Sequence, residues 1–184
     1  NRRCFAFFHP SMPDEPLIFV EVALAYGIPN SIQDLLNNEQ IIDKKIALDT
    51  AVFYSISNCQ SGLAGISFGN FLIKQVVEDL TNEFENLKTF VTLSPIPLLQ
   101  AWFENEGAKM KQDETNNLSK LAAFYLLNGK RDDGLPFDPV ARFHLGNGAQ
   151  VHAVHENADT SEKGIKQSQG MMVNYLYDPS MIGI

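Results

Sequence analysis

The sequence predicts an α/β protein with a strand–loop–helix–strand unit at its centre. Runs of β-branched and aromatic residues alternate with stretches of helical periodicity, and glycine or proline marks the changes between them. The central unit occupies residues 57–93, where a strand, a loop containing three glycines, a helix and a strand follow one another. With 184 residues, 45% hydrophobic and 20% charged, the chain has the composition of one ordinary globular domain.

The first elements follow from turn and capping signals. The apolar run at residues 17–23 is a predicted strand, which Gly27 and Pro29 close. Ser31 is a suitable N-cap for a short helix over residues 32–37. β-Branched and aromatic residues then predict a second strand over residues 50–57.

The central loop leads into the most regular helical pattern of the chain. Over residues 70–87 apolar side chains recur every three or four positions, with charged residues between them. A strand over residues 89–93 follows. Pro95 and Pro97 then stop strand pairing, so we expect an extended, splayed segment after this strand.

The second half of the chain contains shorter elements. Asp138 and Pro139 are the N-cap and first-turn proline of a helix that residues 146–148 end. The other predicted elements are, in order, a helix over residues 98–106, a polar connector, a helix over 118–127, a strand over 150–154, a polar loop and a strand over 170–177.

Charge and composition exclude several classes of protein. Fourteen Lys and Arg against 22 Asp and Glu give a net charge of −8 without a basic cluster, which argues against nucleic acid as a partner. The longest apolar run, residues 17–26, contains Glu21 and is too short to span a bilayer. Cys4 and Cys59 form no CxxC motif, so we expect no disulfide framework, no metal site and a reducing compartment.

Three features of the sequence are candidates for a binding or catalytic role, and each also has a purely structural interpretation. The glycine loop before the helix at residue 70 could bind an anion through backbone N–H groups, or it could be a plain tight turn. Ser94 stands at a strand end, where its hydroxyl faces a cleft or caps a turn. His144 is a candidate proton donor or a structural histidine. His152 and His155 alternate on a strand, which disfavours a metal site.

Several sequence motifs resemble those of the malonyl-CoA decarboxylase family. They occur in that family's order and cover almost the whole chain. They are RRCF at residues 2–5, FYSIS at 53–57, GNFLIK at 69–74, LSPIP at 93–97, DPVARFHLGNGA at 138–149 and NY at 174–175. The motifs around Ser94 and His144 are long and specific. Their residues are more similar to bacterial members of the family than to animal ones.

The resemblance implies one catalytic domain over residues 1–184, with a GNAT-type acyltransferase fold in which helices flank a mixed sheet. Full-length members also carry a helical N-terminal domain that supports oligomers, and this domain is absent from the sequence. The implied reaction is decarboxylation of malonyl-CoA to acetyl-CoA and CO₂ without a cofactor. We therefore expect malonyl-CoA as substrate and a homo-oligomer formed through the missing domain.

The resemblance also implies the residues of the site. The family's serine–histidine pair falls on Ser94 and His144, which would both catalyse the reaction and contact the substrate. Tyr177 matches a tyrosine that lines the family's acyl pocket. The loop that binds the CoA pyrophosphate corresponds to Ala64, Gly65, Ile66, Ser67, Phe68, Gly69 and Asn70.

The chain departs from the family pattern at two places. Leu98 and Leu99 replace a glycine–aromatic pair in a short connector, and residues 155–157 read His-Glu-Asn where Asn-Trp and an apolar residue are expected. These departures bear on the shape of the acyl pocket. Two other functions therefore stay open, a GNAT-type acyl-CoA N-acyltransferase and a CoA-binding module without catalysis. The family's targeting tail is missing, so we expect a cytoplasmic location with organelles left open.

Overall fold

A mixed sheet forms the centre of the computed structural model, which describes residues 2–37, 48–63, 69–106 and 117–180. The strands are β1 (Arg2–His9), β2 (Met12–Ala25), β3 (Thr50–Asn58), β4 (Thr89–Thr92), β5 (Ser94–Pro95), β6 (Gln150–His155) and β7 (Met172–Tyr177). The helices are α1 (Ile32–Asn37), α2 (Gly69–Glu83), α3 (Leu99–Glu106), α4 (Leu118–Asn128), α5 (Pro139–Gly146) and α6 (Glu162–Ser168), with a 3₁₀ turn at Ser61–Leu63.

The sheet runs in the order β1-β2-β3-β4-β7, and both β5 and β6 also pair with β7. Strands β3 and β4 are parallel, whereas the other pairs are antiparallel. Val20 and Val22 on β2 and Val76 and Leu80 on α2 are fully buried in the same core cluster. The amphipathic pattern of α2 thus packs this helix on the sheet, and the predicted α/β arrangement of a sheet flanked by helices is confirmed.

The parallel strands β3 and β4 part in the middle of the sheet. Their pairing runs from Thr50 opposite Thr89 to Phe53 opposite Thr92, after which the Leu93 N–H donates to the Phe53 carbonyl at 3.0 Å. Strand β3 continues to Asn58, but the chain after Leu93 turns to β7 as strand β5. Pro95, which has no N–H to donate, is the last residue of β5. The chain thus leaves β3 after residue 93, as predicted, but the expectation that the prolines stop strand pairing there is wrong, because Ser94 and Pro95 pair with β7.

The structure corrects two predictions about the helices. Helix α2 ends at Glu83, four residues before the predicted end at residue 87. The predicted polar loop after β6 contains helix α6, which Ser161 caps by accepting a hydrogen bond from the Gly164 N–H. The sequence obscured this helix because it is short and polar, with Gly164 in its interior.

Gly164 is required because the Asp159 side chain occupies the space beside it. A Cβ atom on Gly164 would lie 2.4 Å from Asp159 Cγ. Asp159 cannot simply swing away, since its Oδ1 accepts hydrogen bonds from Gln33 Nε2 and from the Ser161 N–H, both at 3.0 Å. Any side chain at residue 164 therefore has to displace α6 or break these bonds.

We predict that Gly164→Ala lowers the free energy of unfolding by about 1–3 kcal/mol, the usual range for overpacking. Gly62→Ala is the matched control, because a Cβ at Gly62 meets nothing within 4 Å. Urea unfolding followed by circular dichroism measures both variants. Equal stability of the two variants would contradict the packing described for α6.

Candidate active site

A cleft of about 1070 Å³ opens where β3 and β5 part. Its lining comes from the end of β3, from Leu72 on α2, from β5 and from one face of α5. Among the lining residues that the structure describes, those with a formal charge are both cationic, Arg142 and Lys163. The cleft thus differs from the protein as a whole, whose net charge is −8.

Ser94 and His144 meet inside this cleft although 50 residues separate them. Ser94 belongs to β5 and is 4% exposed, while His144 lies in the last turn of α5 and is 5% exposed. The distance from Ser94 Oγ to His144 Nε2 is 3.3 Å. The two candidates that the sequence analysis singled out separately therefore form one buried pair.

Helix α5 is fixed at its start by Asp138, as the sequence predicted. The buried Asp138 carboxylate accepts hydrogen bonds from the Val140 and Ala141 N–H groups at 2.9 and 3.1 Å, and Pro139 occupies the first turn. It also accepts from the Tyr125 hydroxyl at 3.3 Å. This cap sets the position of α5, and with it the position of His144.

A line of hydrogen bonds sets the proton positions around His144. The Ser94 hydroxyl donates its single proton to Thr92 Oγ1 at 2.8 Å, so Ser94 Oγ accepts from His144 Nε2–H. A neutral imidazole has one N–H, and Nδ1 is then an acceptor for the Tyr177 hydroxyl at 2.8 Å. Thr92 Oγ1 is held in turn by the Tyr175 N–H at 3.0 Å.

Aromatic side chains pack around the imidazole ring of His144. Tyr175 stacks on His144 with the ring centroids 4.8 Å apart, and Phe143 contacts the ring edge-on at 5.0 Å. Burial lowers the pKa of His144 to about 3 and raises the pKa of Tyr177 above its usual value. With this pKa His144 is a neutral donor at physiological pH.

The structure describes the predicted CoA loop only in part. Residues 64–68 lie outside the described residues, while Gly69 and Asn70 begin α2. Leu72, in the first turn of α2, lines the cleft, so the start of this helix borders it. The assignment of Ala64, Gly65, Ile66, Ser67, Phe68, Gly69 and Asn70 to CoA stays a prediction.

Tyr177 and residues 155–157 are not among the described residues that line the cleft. The Tyr177 hydroxyl contacts His144, and Tyr177 is not among the described residues that line the cleft, so its contact with an acyl group stays a prediction. His155 Nε2 pairs with Asn174 Oδ1, and Glu156 accepts from the Ser119 hydroxyl at 2.6 Å. The unusual residues at 155–157 thus contact β7 and α4.

Sequence reasoning missed Thr92, Tyr175 and Asn147. Thr92 and Tyr175 are fully buried members of strands, and Asn147 is a buried residue that lines the cleft after α5. A signal did exist for Thr92, since it stands two residues before Ser94 and side chains at that spacing share one face of a strand. The contact of Tyr175 with His144 depends on the pairing of distant strands, which the sequence did not reveal.

Comparison with known proteins gives the family of the chain. A model of the family described as Malonyl-CoA decarboxylase C-terminal domain matches residues 1–120 and 105–183. The mitochondrial malonyl-CoA decarboxylase of Anser anser anser is 34% identical over 223 residues, which cover 96% of this chain and 44% of that protein. The chain thus spans about half the length of the relatives that it matches.

Solved structures agree with this match. The crystal structure of malonyl-CoA decarboxylase from Rhodopseudomonas palustris superposes with a TM-score of 0.83 at 46% identity, over 98% of this chain and 48% of that one. The loading GNATL domain of CurA from Lyngbya majuscula has a TM-score of 0.63 at 14% identity over 96% of this chain and 76% of that domain, which shows the shared fold alone. The GNAT-type fold and the resemblance predicted from the sequence are confirmed. The chain belongs to the malonyl-CoA decarboxylase family.

Proposed function

We propose that residues 1–184 form a catalytic domain that decarboxylates malonyl-CoA to acetyl-CoA and CO₂. The observation that carries this proposal is the buried hydrogen bond between Ser94 and His144 at the point where β3 and β5 part. Membership of the malonyl-CoA decarboxylase family supports the reaction. The cationic Arg142 and Lys163 on the cleft wall favour an anionic substrate such as an acyl-CoA.

The CoA pyrophosphate would bind at residues 64–70, which lead into helix α2. Backbone N–H groups at a helix start and the helix dipole favour a phosphate there. This mode of binding suits an acidic chain, because it requires backbone donors rather than a basic patch. The acyl end of the substrate would then extend along the cleft toward Ser94 and His144.

In the proposed reaction the bond between the α-carbon and the carboxylate carbon breaks. Its electron pair moves into the thioester, so CO₂ leaves and an acetyl-CoA enolate remains. The enolate oxygen needs a hydrogen-bond donor, and the α-carbon needs one proton. His144 Nε2–H is the donor at the thioester oxygen and the source of that proton, while Ser94 contacts the carboxylate and relays protons with His144.

Substrate binding would bring a negative charge close to His144. Burial disfavours the imidazolium form of His144. A malonyl carboxylate in the same cleft would favour that form, since an opposite charge nearby raises the pKa of an imidazole. His144 would therefore take up a proton as the substrate binds, transfer a proton to the α-carbon and return to the neutral state. The protons gained and lost balance over one turnover.

The two alternative functions fit the cleft less well. An N-acyltransferase would use a carboxylate as base for its amine acceptor, but the described residues that line the cleft include no Asp or Glu. A CoA-binding module without catalysis would not need a buried Ser94–His144 pair. The departures at residues 155–157, which kept that reading open, lie outside the cleft lining.

Family membership also suggests an oligomeric state and a cellular location for the protein. We propose a homo-oligomer formed through the helical domain that full-length relatives carry, and a cytoplasmic location with organelles left open. In the described part of the chain, no helix has the length and apolar character needed to cross a membrane.

We predict that Ser94→Ala and His144→Asn each lower kcat for CO₂ release by roughly 10²–10⁴, the usual contribution of an acid–base group. The double variant should be little worse than the poorer single variant, because both side chains act in one transition state. The assay uses the protein expressed from its complete reading frame. The exposed His152, changed to Gln, is the control and should leave kcat within about threefold. Near-normal turnover by His144→Asn would disprove the proposed function.

Gly69→Val should weaken CoA binding by about 1–3 kcal/mol, because a β-branched residue would strain and displace the loop that precedes α2. Gly62→Val is the matched control, since a Cβ at Gly62 has no described atom within 4 Å. Isothermal titration calorimetry with CoA measures both variants. Unchanged affinity in a folded Gly69→Val protein would remove the loop assignment.

The buried His144 should make stability depend on pH. An unfolded histidine has a pKa near 6.5, whereas the folded pKa of His144 is about 3. As the pH falls below 6.5 the unfolded chain binds a proton that the folded chain does not, so stability is lost down to pH 3. His144→Asn should reduce the slope of unfolding free energy against pH by roughly 1 kcal/mol per pH unit in this window. An unchanged slope would show that His144 is not buried as a neutral group.

A further inference from the structure

Asn147 has a buried amide nitrogen without a partner. Asn147 is 4% exposed, and its Nδ2 is a buried atom that makes no hydrogen bond to the residues that the structure describes. Asn147 immediately follows α5, three residues after His144, and it lines the same cleft as Ser94 and His144. Among the described residues Tyr175 also has an unpaired side-chain atom, its hydroxyl, but Tyr175 does not line the cleft.

Within the described part of the chain, the hydrogen bonds of Asn147 come from its backbone. The C-cap of α5 is made by the Asn147 backbone N–H, which donates to the carbonyls of His144 and Leu145. The backbone angles, φ −99° and ψ 17°, lie outside the left-handed region in which asparagine is favoured. A buried N–H group without a partner is destabilising, and such groups are rare in folded proteins. A bound ligand with an acceptor oxygen would supply the missing partner.

We propose that Asn147 Nδ2 is a catalytic donor to the thioester carbonyl oxygen of the bound acyl group, beside His144. This inference rests on the proposed decarboxylation. During that reaction negative charge leaves the carboxylate and gathers on the thioester oxygen, so a donor at the thioester oxygen stabilises the transition state more than the substrate. A donor to the carboxylate would instead stabilise the substrate. A neutral amide also suits a buried position, because it brings no charge that would need a counterion.

The test measures kcat and KM for CO₂ release and the melting temperature, on the protein expressed from its complete reading frame. For Asn147→Ala we expect kcat to fall by roughly 10²–10³, as for loss of one oxyanion donor, with KM within a few fold. The melting temperature should stay equal or rise, because the deleted amide has no protein partner. Asn147→Asp keeps the shape without the donor and should lose at least as much kcat. Asn128→Ala, at the exposed last residue of α4, is the matched control.

Three results would overturn the inference while wild-type decarboxylation stands. The first is a kcat within threefold of wild type in Asn147→Ala or Asn147→Asp. The second is a parallel loss of kcat and melting temperature in both variants, which would make Asn147 structural. The third is a raised KM at normal kcat, which would place Asn147 on the carboxylate. If the wild-type protein releases no CO₂ from malonyl-CoA, the proposed function fails and this inference falls with it.

Discussion

The hydrogen bonds that join Thr92, Ser94, His144 and Tyr177 connect the sheet to helix α5, and the site depends on them. Thr92 is the last residue of β4, Ser94 belongs to β5 and Tyr177 to β7, and His144 belongs to a helix held by its Asp138 cap. Because each hydroxyl and ring nitrogen in the line has a partner, the imidazole has one orientation and one proton position. The parting of β3 and β5 then leaves this ordered line at the wall of a cleft.

Burial gives the site its chemical character. Tyr175, Tyr177 and Phe143 surround the imidazole, so His144 stays neutral until a ligand brings charge into the cleft. The protein carries a net charge of −8, yet Arg142 and Lys163 are the charged residues found on the described cleft wall. An anionic substrate would therefore meet local positive charge and a neutral donor, and its own carboxylate would complete the electrostatics of the site.

Capping residues and prolines in the sequence predicted much of the fold, but they predicted few of the hydrogen bonds and ring contacts around His144. Asp138 and Pro139 marked the start of α5, and Pro95 and Pro97 marked the place where the strands part, because capping and proline chemistry act within a few residues. Helix α6 was missed because its polar sequence and Gly164 resemble a loop. The pairing of Ser94 with His144 was expected from family resemblance alone. Tyr175 was missed because its contact with His144 arises from the register of distant strands, whereas the spacing of Thr92 from Ser94 was a local signal that was not used.

The chemistry of the site depends on the protonation state of His144, which nitrogen NMR of the histidine ring measures. In protein labelled with ¹⁵N at histidine, the signals that vanish in His144→Asn identify the two ring nitrogens of this residue. At pH 5, without substrate, the account predicts a neutral ring with its proton on Nε2, donated to Ser94, and a bare Nδ1 that accepts from Tyr177. A doubly protonated ring at pH 5, or a neutral ring with its proton on Nδ1, would contradict the account.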